Sequence, residues 1–197
     1  MINRRDFDRI KKEMQEFEDE REQLIRESRD ILKKSKQTIY LVHGNEFRKA
    51  QSLLSSVENK IKEAKRHIRR NPKLDFLGAY SVAIQEYVEA QCYLTFVMQK
   101  KIPSCKKLSV QAEDYLLGLC DFTGELARRA VHAVIHKRYD EVYEIREMTE
   151  KVYGLFLELN LRNGELRKKS DSIKWNLKKI EDIIYDIETR GLRKQDS

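Results

Sequence analysis

The sequence is poor in residues that interrupt helices. It has only 2 prolines and 7 glycines among 197 residues, while charged residues make up 37%. The alternation of polar and apolar residues that marks half-buried strands does not persist in any segment. This composition disfavours a β-sheet protein and is typical of long helices with a solvated, charged face.

Long apolar segments and secretion signals are also missing. No run of about 18 uncharged apolar residues occurs, so we predict no transmembrane helix. The first residues, MINRRDFDRI, lack the apolar core of a secretory signal. Cys92, Cys105 and Cys120 are an odd number of cysteines without the spacing of a metal site. We therefore expect a cytoplasmic protein with reduced, buried thiols and no membrane partner.

The spacing of apolar residues predicts an all-α fold, a bundle of six to seven long helices. Gly44 and the Asn-Pro pair at 71–72 mark two of the helix ends. No long linker divides the chain, so residues 1–197 are predicted to form a single helical domain. The predicted helices cover about residues 3–43, 46–70, 74–100, 109–136, 139–162 and 166–190.

Heptad-like seams run along the first and the last predicted helix. The first seam consists of Phe7, Ile10, Met14, Phe17, Leu24, Ser28, Ile31, Ser35, Thr38 and Val42, and the last of Ile173, Leu177, Ile180, Ile184 and Ile187. The two seams offer more apolar surface than one bundle needs, so we predict that they contact other subunits. Trp175 lies within the last seam and is expected to anchor packing.

Four carboxylates lie inside two of the most apolar segments. Glu86 and Glu89 occur in IQEYVEA, and Asp121 and Glu125 occur in YLLGLCDFTGELARRAV. At about 100° per residue, the members of each pair are neighbours on a helix surface. Such a cluster persists only if a cation or bound protons neutralise it. The spacing alone also fits exposed helix faces, on which Glu125 would pair with Arg129.

The helix face that carries Asp121 and Glu125 also includes Asp114, Gly118 and His132. Because Gly118 has no side chain, we expect it to leave space in which an ion or a phosphate approaches the helix. Carboxylate oxygens are hard ligands that suit Mg²⁺ or Mn²⁺, so we predict a divalent cofactor of this kind. Iron is disfavoured because the acidic pairs lack Glu-x-x-His spacing, and zinc because His and Cys ligands are missing nearby.

Basic residues of the second predicted helix form the candidate nucleic-acid surface. A stripe of this kind fits contacts with a phosphate backbone, although a solvated helix face has the same pattern. The chain has no glycine-rich phosphate loop or nucleophile elbow, and we interpret His132 and His136 as structural. The predicted nucleic-acid contacts are Lys62, Lys65, Arg66, Arg69, Arg70, Arg128 and Arg129.

Three segments, SRDILKKSKQTIYLVHG, IQEYVEA and EDYLLGLCDFTGELARRAV, resemble the translin superfamily and most closely its translin-associated factor X (Trax) branch. The resemblance runs from about residue 24 to residue 187, and its most specific part is D-x-T-G-E with Q-E-Y-V-E upstream. It implies a seven-helix bundle that assembles into hollow oligomers, commonly octamers. It also implies binding of single-stranded RNA or DNA and, in the Trax branch, a Mg²⁺-dependent endoribonuclease activity beside translin.

The resemblance carries the acidic site of the family onto Glu86, Glu89, Asp121 and Glu125, as metal ligands and catalytic residues. All four positions hold acids in this sequence. The chain resembles a stand-alone prokaryotic or archaeal member, so we expect a homo-octamer that cleaves single-stranded or small RNA. Two alternatives stay open, namely a non-catalytic binder of single-stranded RNA or DNA and a coiled-coil scaffold without nucleic acid.

Overall fold

The computed structural model describes residues 3–192, and within that range it contains seven α-helices, a short 3-10 helix and no strand. The predicted all-α fold is therefore confirmed. The helices are α1 (Arg4–His43), α2 (Phe47–Arg70), α3 (Gly78–Gln99), α4 (Cys105–Leu108), α5 (Ala112–Ile135), α6 (Tyr139–Leu157) and α7 (Glu165–Thr189).

Three helix boundaries differ from the predicted ones, including the start of α5 at Ala112 rather than 109, and one short helix is additional. The segment Pro72–Phe76 forms a 3-10 helix before α3 begins at Gly78, and proline suits its first position because the missing N–H is not needed there. The four-residue helix α4 was not predicted, and the Ser104 hydroxyl caps it by accepting the Lys107 N–H at 3.2 Å. Helix α6 ends at Leu157 rather than near 162, where Asn and Gly residues favour a turn.

Helices α3 and α5 occupy the centre of the bundle. Helix α1 packs against α2 and α3, α3 packs against α5, and α5 packs against α6 and α7. A helix covered on several sides is apolar around most of its circumference, and Tyr93 and Phe122 are among the largest fully buried side chains. The four carboxylates are therefore placed on the two central helices.

The seam of α1 is divided between the core and the surface. Ile31 and Val42 are completely buried, whereas Phe7 is 62% and Met14 is 69% exposed. Trp175 on α7 is 65% exposed, so it anchors no packing within this chain, and its packing against another subunit stays a prediction. It lies on the outer face of α7, opposite the buried Ile173, Ile180 and Ile187.

The cysteines and the hydropathy of the helices agree in part with the expectations. Cys92 and Cys120 are buried free thiols, while Cys105 is partly exposed, because it lies in the first turn of the short α4. None of the helices between residues 3 and 192 has the length and apolar character needed to cross a bilayer.

Candidate functional site

The four carboxylates lie on the two helices α3 and α5, which approach each other closely at Gly118. A Cβ atom at Gly118 would lie 2.7 Å from the backbone oxygen of Gln85 and 2.7 Å from Cβ of Val88. Both distances are too short for a real contact, so glycine is what allows the two backbones to approach this closely. The expected space for an ion or a phosphate beside Gly118 does not exist, because α3 fills it.

Glu89 is the most deeply buried of the four acids. Its residue is 7% exposed, and its carboxyl group makes no hydrogen bond or ion pair within the described residues. Burial, and then the charges of Glu86, Asp121 and Glu125, raise the pKa of Glu89 to about 9. The other three acids are therefore close enough to Glu89 for their charges to repel its carboxylate. With this pKa, Glu89 is protonated at neutral pH when no cation is present.

Glu86 shares this environment but is closer to solvent. Burial is the main cause that raises its pKa, and Asp121 and Glu125 add to the effect, while Lys36 opposes it. The ammonium group of Lys36, on α1, lies 3.8 Å from Oε2 of Glu86. The acid on the solvent side is thus partly neutralised by a lysine of the chain itself.

The two acids of α5 also have basic partners from distant parts of the chain. Lys169 of α7 donates a hydrogen bond to Asp121 Oδ2 at 2.5 Å. Nε2 of His43, at the end of α1, lies against Oε2 of Glu125, and Arg128 is 3.7 Å from the same oxygen. Three of the four carboxylates therefore have a cationic or imidazole partner, and Glu89 has none.

A second hydrogen bond holds His43 in place. Its Nδ1 lies 3.0 Å from the hydroxyl of Tyr93, a side chain of α3 that is fully buried. The His43 side chain is 8% exposed, so the imidazole is fixed between Tyr93 and Glu125. His132, by contrast, is exposed. Its pKa is lowered by partial desolvation and by the nearby charges of His43 and Arg128.

Sequence reasoning missed Lys36, His43 and Lys169. His43 and Glu125 are separated by 82 positions, and Lys169 and Asp121 by 48. No helical spacing joins residues so far apart, so pattern analysis could not pair them. Lys36 and His43 do lie inside the quoted segment SRDILKKSKQTIYLVHG.

The chemistry of the four acids fits a hard divalent cation better than their present positions do. Carboxylate oxygens are suitable ligands, and the unpaired, buried Glu89 is a group that a cation would neutralise. Yet no group of three or more His, Cys, Asp or Glu side chains among the described residues converges at ligating distance. Binding would require the side chains to turn toward one another and Lys169 to leave Asp121.

Arg129 does not belong to the predicted nucleic-acid surface. The residue is 5% exposed, and its Nε donates a hydrogen bond to Glu141 of α6. Glu141 also pairs with Arg138 at 2.9 Å, so the guanidinium of Arg129 is part of a buried structural network. Arg128, one position earlier, has a 56% exposed side chain and lies 3.7 Å from Glu125, so a phosphate would compete with that carboxylate for its guanidinium.

The basic stripe of α2 lies at the surface. Lys62, Arg66 and Arg70 are exposed and form no ion pair with another described residue, as is also true of Arg69. Lys65 is only partly exposed, and its ammonium donates a hydrogen bond to the carbonyl of Ser109. Four unpaired cations on one helix provide a positive surface that a phosphate backbone could contact.

Comparison with known proteins gives consistent matches along most of the chain. Residues 19–191 match the model of the Translin family. Translin-associated protein X of Mus musculus is 27% identical over 226 aligned positions, which cover 94% of this chain and 78% of that protein. Translin of Gallus gallus is 41% identical over 83 positions, or 42% of this chain and 36% of that protein.

Solved structures show the same arrangement of helices. Apo-NeC3PO matches with a TM-score of 0.86 at 25% sequence identity, over 94% of this chain and 97% of that one. AfC3PO in a complex with duplex RNA also has a TM-score of 0.86, at 23% identity, over 93% of this chain and 97% of that one. At 23% identity, the match with AfC3PO is evidence for the fold alone.

Proposed function

The chain belongs to the translin family, and we propose that it is a divalent-metal-dependent endoribonuclease that cleaves single-stranded or small RNA. Family membership and the likeness to C3PO structures, one of them solved with duplex RNA, support a role in RNA binding and processing. The proposal of catalysis rests on one observation: the charges of three acids raise the pKa of a fourth, Glu89, which is buried and unpaired.

Glu86, Glu89, Asp121 and Glu125 are the residues that would hold Mg²⁺ or Mn²⁺. When bound, such a cation supplies an activated water and neutralises charge on the phosphate and the leaving oxygen. A carboxyl group must lose its proton to become a ligand, so Glu89 would release one proton on binding. Lys36 and Lys169 would then lose their carboxylate partners, and their ammonium groups would be available to phosphate oxygens.

His43 and Tyr93 orient one of the acids. The imidazole bridges the Tyr93 hydroxyl and the carboxylate of Glu125, and burial restricts the movement of both rings. Buried residues that hydrogen-bond to a catalytic carboxylate hold it in a defined orientation. We therefore assign His43 and Tyr93 as positioning residues.

The exposed seam on the first turns of α1 supports self-assembly. Phe7, Ile10 and Met14 are 62%, 40% and 69% exposed on one side of the helix. A contiguous apolar stripe of this kind is rarely left in contact with water. We propose that it contributes to a homo-oligomer, for which the family resemblance suggests eight subunits.

A second candidate function is binding of RNA or single-stranded DNA without cleavage. It is favoured by the pairing of three acids with Lys36, Lys169 and His43, because a site neutralised by the chain itself needs no metal ion. The unpaired cations of α2 fit both functions.

The two functions differ in one assay. The purified protein is incubated with end-labelled single-stranded RNA in Mg²⁺, in Mn²⁺ or in EDTA. The nuclease should yield products with a 5′-phosphate and a 3′-hydroxyl in the metal buffers and none in EDTA. Binding without cleavage in all three buffers would leave the second function, and equal cleavage in EDTA would contradict a metal-dependent reaction.

A further inference from the structure

A cavity of about 690 Å³ opens between the end of α2 and the beginnings of α3 and α5. Its volume is within the range of sites that bind small molecules or parts of larger ligands. Apolar side chains of Ile68, Leu77, Ile84 and Leu117 form part of its wall. None of the four acids of the candidate active site lines it.

One polar group in the wall has no partner. Tyr80 is 6% exposed, and its buried hydroxyl makes no hydrogen bond with a described residue. A hydroxyl removed from water without a partner is costly, and native proteins seldom leave one so. Burial and the nearby charges of Asp75 and Asp114 raise the pKa of Tyr80, so the phenol stays protonated and can donate a hydrogen bond. Both acids also line the cavity.

Two hydrogen-bond donors hold the carboxylate of Asp114, the acceptor in this part of the wall. Ser81 donates to Asp114 Oδ1 at 2.5 Å, and the Gln85 amide approaches the same oxygen at 3.3 Å. The other oxygen of Asp114 accepts no hydrogen bond from the described part of the chain. A carboxylate is only an acceptor, so it would bind a ligand edge that carries N–H donors.

Groups that attract a phosphate lie on the same cavity. Lys65 and Arg69 line it from α2, while Glu113 and Glu165 line it as well as Asp75 and Asp114. The first turns of α3 and α5 also line it, and neither helix has a side-chain cap, so backbone N–H groups remain available there. Gly78, the first residue of α3, has open space on its Cβ side.

The cavity and the four acids follow the same contact between α3 and α5. Asp114 and Asp121 are seven positions apart on α5, which places them on one face, two turns or about 10 Å apart. An RNA strand whose phosphate lies at the acids would therefore place a neighbouring nucleotide at the cavity.

We propose that this cavity binds one nucleotide of the RNA strand, with the base between the apolar walls and the phosphate near Lys65 and Arg69. The proposal deepens the proposed function and rests on it. Tyr80 and Asp114 would contact the edge of the base. Adenine, cytosine and guanine carry an amino group that can donate to Asp114, whereas uracil presents a single N–H between two carbonyls, so uracil is disfavoured.

Tyr80→Phe tests the proposal without a cost to folding, because the hydroxyl has no partner in the protein. Binding of labelled oligoadenylate and oligouridylate is measured in EDTA by fluorescence anisotropy. The variant should bind oligoadenylate about two- to tenfold more weakly and oligouridylate unchanged, as expected for one lost hydrogen bond. Its thermal unfolding should match or exceed that of the parent.

The matched control is Tyr87→Phe. The Tyr87 hydroxyl lies 3.4 Å from Glu58, and Tyr87 does not line the cavity, so its loss should leave the base preference unchanged. In a complementary variant, Asp114→Asn, the amide supplies a donor, and the preference for oligoadenylate over oligouridylate should become smaller. Equal binding of oligoadenylate by parent and Tyr80→Phe, or equal losses on both RNAs, would overturn the proposal.

Free AMP separates a strand site from a site for a mononucleotide. Competition by AMP should be weak for the parent, because most contacts of the strand lie outside the cavity. Tight AMP binding that Tyr80→Phe removes, with oligoadenylate binding unchanged, would contradict the assignment to the RNA strand. Cleavage in Mg²⁺ is measured separately, so the nuclease function and the nucleotide cavity can each fail alone.

Discussion

Replacing Glu89 by glutamine should stabilise the metal-free protein although it removes a candidate ligand. Burial and the three neighbouring acids raise the pKa of Glu89 from 4.5 to about 9. Between these two values the folded chain keeps a proton that the unfolded chain has lost. Folding stability therefore falls as the pH rises through this window, and the loss is complete above the folded-state pKa.

The size of the effect at neutral pH follows from this window. One pH unit corresponds to about 1.4 kcal/mol, so burying Glu89 costs about 3 kcal/mol at pH 7 and less than about 1 kcal/mol at pH 5. Glutamine has nearly the same shape and cannot ionise, so Glu89→Gln lacks this cost. For a chain of this length the gain corresponds to about 6–12 °C in Tm at pH 7.

Thermal unfolding followed by circular dichroism measures this gain. Parent and Glu89→Gln are compared at pH 5, 7 and 9 in EDTA, with Glu63→Gln, an exposed position on α2, as the control. The difference between Glu89→Gln and parent should grow with pH, while the control should follow the parent. Adding Mg²⁺ should stabilise the parent more than Glu89→Gln, because a ligand that binds only the folded state raises its stability.

Two results would refute this explanation of Glu89. One is a Glu89→Gln variant that is less stable than the parent at pH 7 in EDTA. The other is a stability difference that stays constant between pH 5 and pH 9. Either result would mean that the carboxyl group is not disfavoured by burial and by the acids around it.

Three further predictions concern packing, nucleic acid and assembly. Gly118→Ala should lower the free energy of unfolding by about 1–3 kcal/mol in chemical unfolding, because the added Cβ would overlap α3. In the control Gly154→Ala, no atom lies within 4 Å of the added Cβ, so the change should be neutral or stabilising. Lys62→Ala and Arg66→Ala should each reduce the salt dependence of single-strand binding by about 0.7 in slope, and an unchanged slope would leave α2 as a solvated face. Light scattering should show an oligomer, and a stable monomer of 23.5 kDa at micromolar concentration would contradict assembly.

The fold was largely predictable because its signals are local. Apolar spacing and the residues at helix ends gave the long helices, and the family resemblance is confirmed by the match over residues 19–191. The missed 3-10 helix at Pro72–Phe76 and the short α4 depend on a few residues each, for which periodicity carries no information.

The candidate site was predictable only in part. Glu86, Glu89, Asp121 and Glu125 stand out because charged residues are rare in apolar helices. Their partners on α1 and α7 depend on how distant helices pack, which no spacing reveals.

Two further errors have the same origin. The close packing at Gly118 depends on where α3 lies, and the burial of Arg129 depends on Glu141 of α6. The sequence does not show whether Gly118 faces a ligand or a neighbouring helix. The same is true of Arg129.

Cleavage by amide variants tests the four-acid site most directly. Asp121→Asn and Glu125→Gln are compared with the parent on labelled single-stranded RNA in Mg²⁺, with the exposed Asp182→Asn of α7 as the control. We predict that both site variants cleave at least about a hundredfold more slowly than the parent, because an amide oxygen is a weak ligand for Mg²⁺. The RNA affinity of the site variants and the cleavage rate of the control should equal those of the parent. Site variants that cleave as fast as the parent would contradict the proposed active site.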